Sequence, residues 1–253
     1  MKHPVFAANW KMNHAPADAL AFLRQFLAHF PRQQDRTVIF FPPALTLAAV
    51  TAGLKDRSDI QVGVQNIHWE DKGAFTGENS APVARAAGAR YVLVGHSERR
   101  HVFGETDEQT SKKVAAASRA GLAVVVCVGE TLAERERGVT HEVVLRQLRS
   151  AMATLEPNHV ASSLVAYEPV WAIGTGKNAT PADASDVHSA IRAELGTLTG
   201  ERGGAVPILY GGSVNTGNAG ALLAAANVDG LLVGGASLDA EGWGTIVRTI
   251  VRT

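Results

Sequence analysis

Ala166-Tyr167-Glu168-Pro169-Val170-Trp171-Ala172-Ile173-Gly174-Thr175-Gly176-Lys177 decides how this chain is read. It continues an apolar run, Leu164-Val165-Ala166-Tyr167, short and dense enough for a buried strand. The run ends on Glu168, a residue type rarely buried without a reason. Pro169 follows at once and cannot continue a hydrogen-bonded ladder. Two glycines, a threonine and the apolar Trp171 and Ile173 come next. Glycine lets a backbone approach a ligand closely. A carboxylate at a strand end, a rigid hinge and an apolar Gly-Thr-Gly tip together read as a base with a lid attached. For a glutamate taken at random, a surface strand end would be the better reading, so the rest of the chain has to decide.

Outward from this stretch, short apolar runs alternate with longer helical ones. Strands are expected at Pro4 to Asn9, Thr37 to Phe41, Ile60 to Val64, Tyr91 to Val94, Leu122 to Val128, Leu164 to Glu168, Val206 to Tyr210 and Val228 to Val233. Helices are expected over Pro16 to Phe30, Ala44 to Gly53, Ser80 to Ala87, Thr106 to Ala120, Thr131 to Leu155 with a break near Gly138, Thr180 to about Leu198, Asn215 or Thr216 to about Ala226, and a last one to Val251. Thr180-Pro181-Ala182-Asp183 is a strong helix start, and Gly121 a stop. The strands are apolar throughout rather than alternating, as strands covered on both faces should be. A closed barrel and an open doubly wound sheet both fit that pattern. Eight strand–helix units in 253 residues, with no Gly-x-Gly-x-x-Gly after the first strand, favour an α/β fold of the (β/α)8 barrel type in one domain, residues 1–253.

The bulk numbers agree. Hydrophobic residues make up 46% of the chain, and 24 basic residues balance 24 acidic ones, which gives no footprint for a nucleic-acid partner. The single cysteine, Cys127, excludes an internal disulfide and suits a reducing compartment. No apolar run approaches a membrane span, and the first residues lack a signal core, so a cytoplasmic protein is expected.

A barrel of this kind carries its chemistry at the C-terminal ends of its strands. The polar residues of this chain fall there: Asn9-Trp10-Lys11, Gly95-His96-Ser97-Glu98-Arg99, Cys127-Val128-Gly129-Glu130, Glu168, Gly211-Gly212-Ser213 and Gly234-Gly235. Lys11 follows the first strand closely enough to lean over the barrel mouth. Ser97-Glu98-Arg99 resembles a helix start, which disfavours a cation on His96 and leaves a neutral imidazole able to donate a hydrogen bond. Cys127 reads as packing, since no positive partner is evident. The two glycine loops near the end of the chain offer peptide N–H groups to a phosphate. Gln65 to Asn79 is a long, unperiodic connection and reads as functional or as an interface.

Five segments together resemble the triosephosphate isomerase family over essentially the whole chain: Asn9 to Asn13, Gly95 to Arg100, Cys127 to Thr131, Ala166 to Lys177 and Tyr210 to Asn215. That family is itself a worked case of pKa tuning at an active site, so the following roles are what the resemblance implies. Glu168 would move the carbon-bound proton, neutral His96 would polarise the carbonyl, and Lys11 would supply positive charge, making Glu168, His96 and Lys11 catalytic. Asn9 and Lys11 would orient the substrate, a small phosphorylated triose. Gly174, Ser213, Gly234 and Gly235 would hold its phosphate, and Pro169 to Ala179 would form a moving lid. No cofactor and no metal are implied. The loop Gln65 to Asn79 would plug into the partner of a homodimer, with Thr76 bracing the partner's loop at Asn9 and Lys11. Asn79, where an apolar residue is common, departs slightly from the pattern at that interface. A Schiff-base aldolase on the same barrel would want a lysine where Glu168 stands, and a catalytically silent binding protein would have no need of Glu168, His96 and Lys11 together.

Overall fold

The computed structural model describes residues 3–173 and 179–250. Strands β1 (Val5–Asn9), β2 (Thr37–Phe41), β3 (Ile60–Val64), β4 (Tyr91–Val94), β5 (Ala123–Val128), β6 (Leu164–Tyr167), β7 (Ile208–Tyr210) and β8 (Gly230–Val233) close into one barrel in sequence order. Every neighbouring pair is parallel, and β1 joins both β2 and β8, with Val5 opposite Thr37 on one side and Gly230 on the other. Gly230 is needed at that seam, because a Cβ there would lie 2.0 Å from the Val5 carbonyl oxygen.

Two apolar layers follow from the two-residue period of the strands. Val5, Ala7, Ile39, Phe41, Leu93, Val125, Cys127, Leu164, Ala166, Leu209 and Leu232 fill the barrel interior. Their alternates, such as Phe6, Ala8, Phe40, Val126, Val165 and Tyr210, pack outward against the helices. The outer layer is richest in aromatic rings around Phe40, which meets Trp10, Phe22, Phe26 and Trp243 at centroid distances of 5.3–6.0 Å. Each such pair adds about 0.5–1.5 kcal/mol beyond the area it buries.

The helices start where their caps dictate. Thr106, Thr131 and Thr180 each close a capping box with the side chain three residues on, and Ser80 accepts from the N–H of Val83. The stretch expected as Thr131 to Leu155 is two helices, Leu132–Glu136 and Thr140–Met152, separated at Gly138 with φ +74°. A short helix, Pro157–Ala161, was not expected from the sequence. The helix expected from Asn215 or Thr216 begins only at Ala219 and ends at Leu223. Asn215 and Asn218 hold the preceding turn by accepting each other's backbone N–H groups with their side-chain oxygens. β7 begins two residues later than expected, since Pro207 brings no N–H to the ladder. Among the described residues no helix is long and apolar enough to cross a membrane.

Candidate active site

The interior period of the strands, continued by one step beyond the core, selects the site. After Val5 and Ala7 comes Asn9; after Leu164 and Ala166 comes Glu168; after Leu209 comes Gly211; after Leu232 comes Gly234. All four line a cavity of about 290 Å³ at the C-terminal end of the barrel. Lys11, His96, Ile173, Gly212, Ser213 and Gly235 line it too. The structure thus gathers Asn9, Lys11, His96, Glu168, Ser213, Gly234 and Gly235, all expected from the sequence, around one space. Gly174 and most of the proposed lid tip lie outside the described residues.

Glu168 is 2% exposed. Its Oε1 lies 2.9 Å from His96 Nε2, and its Oε2 accepts the backbone N–H of Ser97 at 2.9 Å. Burial pushes this carboxyl's pKa up, but His96 and the Ser97 N–H outweigh it and hold the pKa below the ordinary value.

His96 arrives in the site because Gly95 turns the chain with φ +73°, a conformation glycine adopts freely. Its Nδ1 accepts the N–H of Glu98 at 3.3 Å, which leaves the ring proton on Nε2, donated to Glu168 Oε1, while the Asn9 amide nitrogen lies 3.1 Å from the same nitrogen. The helix start expected to keep this ring neutral is present but only five residues long, Ser97–His101. Burial also opposes a second proton. The Glu168 carboxylate acts against both and prevails, moving the imidazole's pKa up from its usual value. That opposing carboxylate comes from another strand and is not visible in the local sequence.

Lys11 sits in left-handed backbone with φ 52°, held by its N–H on Asn9 Oδ1 at 3.0 Å and by Gln65 Nε2, which donates to its carbonyl at 2.7 Å. Its ammonium meets Glu98 Oε1 at 2.6 Å. The stem of the 65–79 loop therefore braces the lysine within one chain. Cys127 is fully buried, and burial pushes its thiol well up, in keeping with a packing role.

Glu130 does more than its place at a strand end suggested. It is fully buried, and its Oε1 accepts from Tyr167 Oη at 3.1 Å and Trp171 Nε1 at 2.8 Å. Its carbonyl takes the N–H of Val170 at 3.1 Å, and Arg135 stacks on the Trp171 ring with its guanidinium carbon 4.4 Å from the centroid. The chain just beyond Glu168 is thereby anchored to the end of β5. A glutamate one glycine beyond an all-apolar strand was the signal available for this role.

A closed eight-stranded parallel barrel with its polar groups on the C-terminal rim places the chain among the (β/α)8-barrel enzymes. The sequence narrows that class. The triosephosphate isomerase family model matches residues 4–250, and the chain belongs to that family. A triosephosphate isomerase of Moorella thermoacetica is 50% identical over 250 residues, covering 98% of this chain and 99% of that protein. One from Solibacter usitatus is 46% identical and covers 98% and 100% respectively. A crystal structure of triosephosphate isomerase from Bartonella henselae matches with a TM-score of 0.88 at 39% identity, over 98% of both chains.

Proposed function

We propose that the chain interconverts dihydroxyacetone phosphate and D-glyceraldehyde 3-phosphate by proton transfer through an enediolate, in glycolysis and gluconeogenesis. The observation that carries this reading is the convergence of Glu168, His96 and Lys11 on one cavity whose far wall is glycine loops.

Glu168 takes the proton from one carbon and returns it to the next. To reach carbon it must leave His96 and the Ser97 N–H, the two contacts that lower its pKa. Burial is then opposed only by the charge of Lys11, and the carboxylate becomes a stronger base at the moment of use. His96, with its proton on Nε2, donates to the substrate oxygens. Lys11 balances the negative charge of the enediolate and phosphate, and Asn9 orients both Lys11 and the substrate. Ser213, Gly234 and Gly235 offer backbone N–H groups to the phosphate, joined by Gly174. Ile173, on the cavity wall, helps keep water from the base.

The same reading makes the protein a single-domain cytoplasmic enzyme that works as a homodimer through Gln65 to Asn79. Met12 and Leu45, more than nine-tenths exposed, are apolar side chains that a partner would cover. The test is a coupled assay on the purified protein with each triose phosphate in turn. Absence of interconversion in either direction sinks the proposal.

A further inference from the structure

We propose that Gln147, on the outer helix Thr140–Met152, is a positioning residue for Glu168; this rests on the reading of Glu168 as the base. β4 ends at Val94 opposite Val126, so β5 runs past its neighbour on that side. On the other side the ladder-like bonds continue: Glu168 N–H donates to the Val128 carbonyl at 2.7 Å, and Val170 N–H to that of Glu130 at 3.1 Å. Gly129, between them, has its own N–H and C=O turned away from β6, where no strand remains to receive them. Gln147 receives both. Its Oε1 accepts the Gly129 N–H at 2.8 Å, and its Nε2 donates to the Gly129 carbonyl at 3.1 Å. The side chain is buried, so these bonds have no water to replace them.

Gly129 in turn presses on the base. A Cβ on Gly129 would stand 1.8 Å from the Glu168 carbonyl oxygen and 2.7 Å from its carbonyl carbon. The backbone of Glu168 is therefore packed against a glycine whose two polar groups are held by one amide. Only a side chain that both donates and accepts at this length can do so. Asparagine is a methylene too short, glutamate when ionised cannot donate, and methionine cannot donate and accepts only weakly. Without the amide, Gly129 loses two buried partners and the surface that seats Glu168 can shift. Proton transfer tolerates such shifts poorly, with an ångström costing on the order of 10²-fold.

The test compares wild type, Gln147→Met and Gln147→Glu in the isomerase assay. Turnover, KM and the deuterium isotope effect with substrate labelled at the reacting carbon are read together, and circular dichroism reports folding. We expect both variants to lose about tenfold or more in kcat while KM stays within about twofold. The isotope effect should rise, because proton abstraction becomes slower relative to the other steps. A folded variant with wild-type kcat and isotope effect, even one that melts earlier, overturns the inference and leaves Gln147 a structural residue. Should Gln147→Met fail to fold, the isosteric Gln147→Glu decides. An inactive wild type overturns the proposed function, and this inference with it. An active wild type with unmoved variants overturns this inference alone.

Discussion

The arc of the rim from β4 to β6 and the arc from β7 to β8 face each other across one cavity and are built on opposite principles. On the first, function sits in side chains tied to one another: Glu168 to His96 and the Ser97 N–H, Glu130 to Tyr167 and Trp171, Gln147 to Gly129. On the second, Gly211-Gly212-Ser213 and Gly234-Gly235 leave almost nothing but backbone. At Gly212 there is no room for more, since a Cβ there would fall 2.2 Å from Tyr210 Oη. The contrast teaches what each task requires. A group that moves a proton needs a side chain whose pKa its neighbours can set and whose position they can release. A cradle for an anion needs fixed amides, and side chains would only stand in the way.

The largest expected effect is on the first arc. Glu168→Gln keeps the size and removes the base, so turnover should fall by about 10²–10⁴-fold with circular dichroism unchanged. Near wild-type turnover would break the comparison at once, because the proton would then be moved by something else. Glu168→Asp, which retracts the carboxylate by a methylene, should cost roughly 10²-fold with binding less affected. Next comes Gly129→Ala, where the added methyl meets the Glu168 backbone. We expect a stability loss of about 1–3 kcal/mol in denaturant unfolding, together with reduced turnover. A variant of wild-type stability would show that the end of β5 is free to move aside.

The sequence exposes these two arcs unequally, for a physical reason. Strands covered on both faces read as apolar runs, so all eight were legible within about two residues at their ends. The rim residues were legible too, because a polar group ending an apolar strand stands out: Asn9, Glu168 and the glycine pairs announce themselves. Helix starts at Thr106, Thr131 and Thr180 were visible through their caps, whereas Asn215 and Asn218 spend theirs on a turn that delays the next helix. What escaped were contacts between distant segments. Nothing near Gln147 in sequence says that it meets Gly129, 18 positions away. Nothing near His96 says that Glu168, 72 positions on by their numbers (168 − 96), sits on its Nε2 and reverses the pull of the helix start.

The second arc is sharpened by a smaller change. Gly234→Ala places a methyl 3.1 Å from Lys11 Cε and 3.7 Å from Nζ. The lysine end is flexible and can yield, so the fold should survive. The methyl crowds the wall that offers amides to the phosphate without touching the base. KM should rise by about tenfold, equivalent to about 1.4 kcal/mol of binding, while kcat falls by less than that, the part of the loss that comes from the Lys11 end giving way. Steady-state kinetics decides. A fall in kcat with unchanged KM would mean that the division between a proton-moving arc and an anion-holding arc is drawn in the wrong place.

The smallest effect concerns a single proton and tests whether the first arc really sets its pKa values by contact. In the resting site burial lowers the pKa of His96, and Glu168 more than offsets this through its charge and hydrogen bond. Glu98 adds to the upward pull and Lys11 opposes it. Glu168→Gln removes the largest upward influence and leaves burial and Lys11 in place. The direction follows: the His96 pKa should fall in the variant, so its imidazole stays neutral to lower pH than in the wild type. The Glu98 N–H on Nδ1 works the same way, since it needs that nitrogen bare. Glu168 also leaves His96 when it turns to the substrate, so the variant mimics the ring's electrostatic surroundings during catalysis. Nitrogen-15 NMR of labelled histidine through a pH series, in wild type and Glu168→Gln, reads both values. If the His96 pKa stays put or rises in the variant, Glu168 is not what holds it up. The departure of Glu168 would then not be what keeps the histidine neutral and hydrogen-bond-donating in the proposed mechanism.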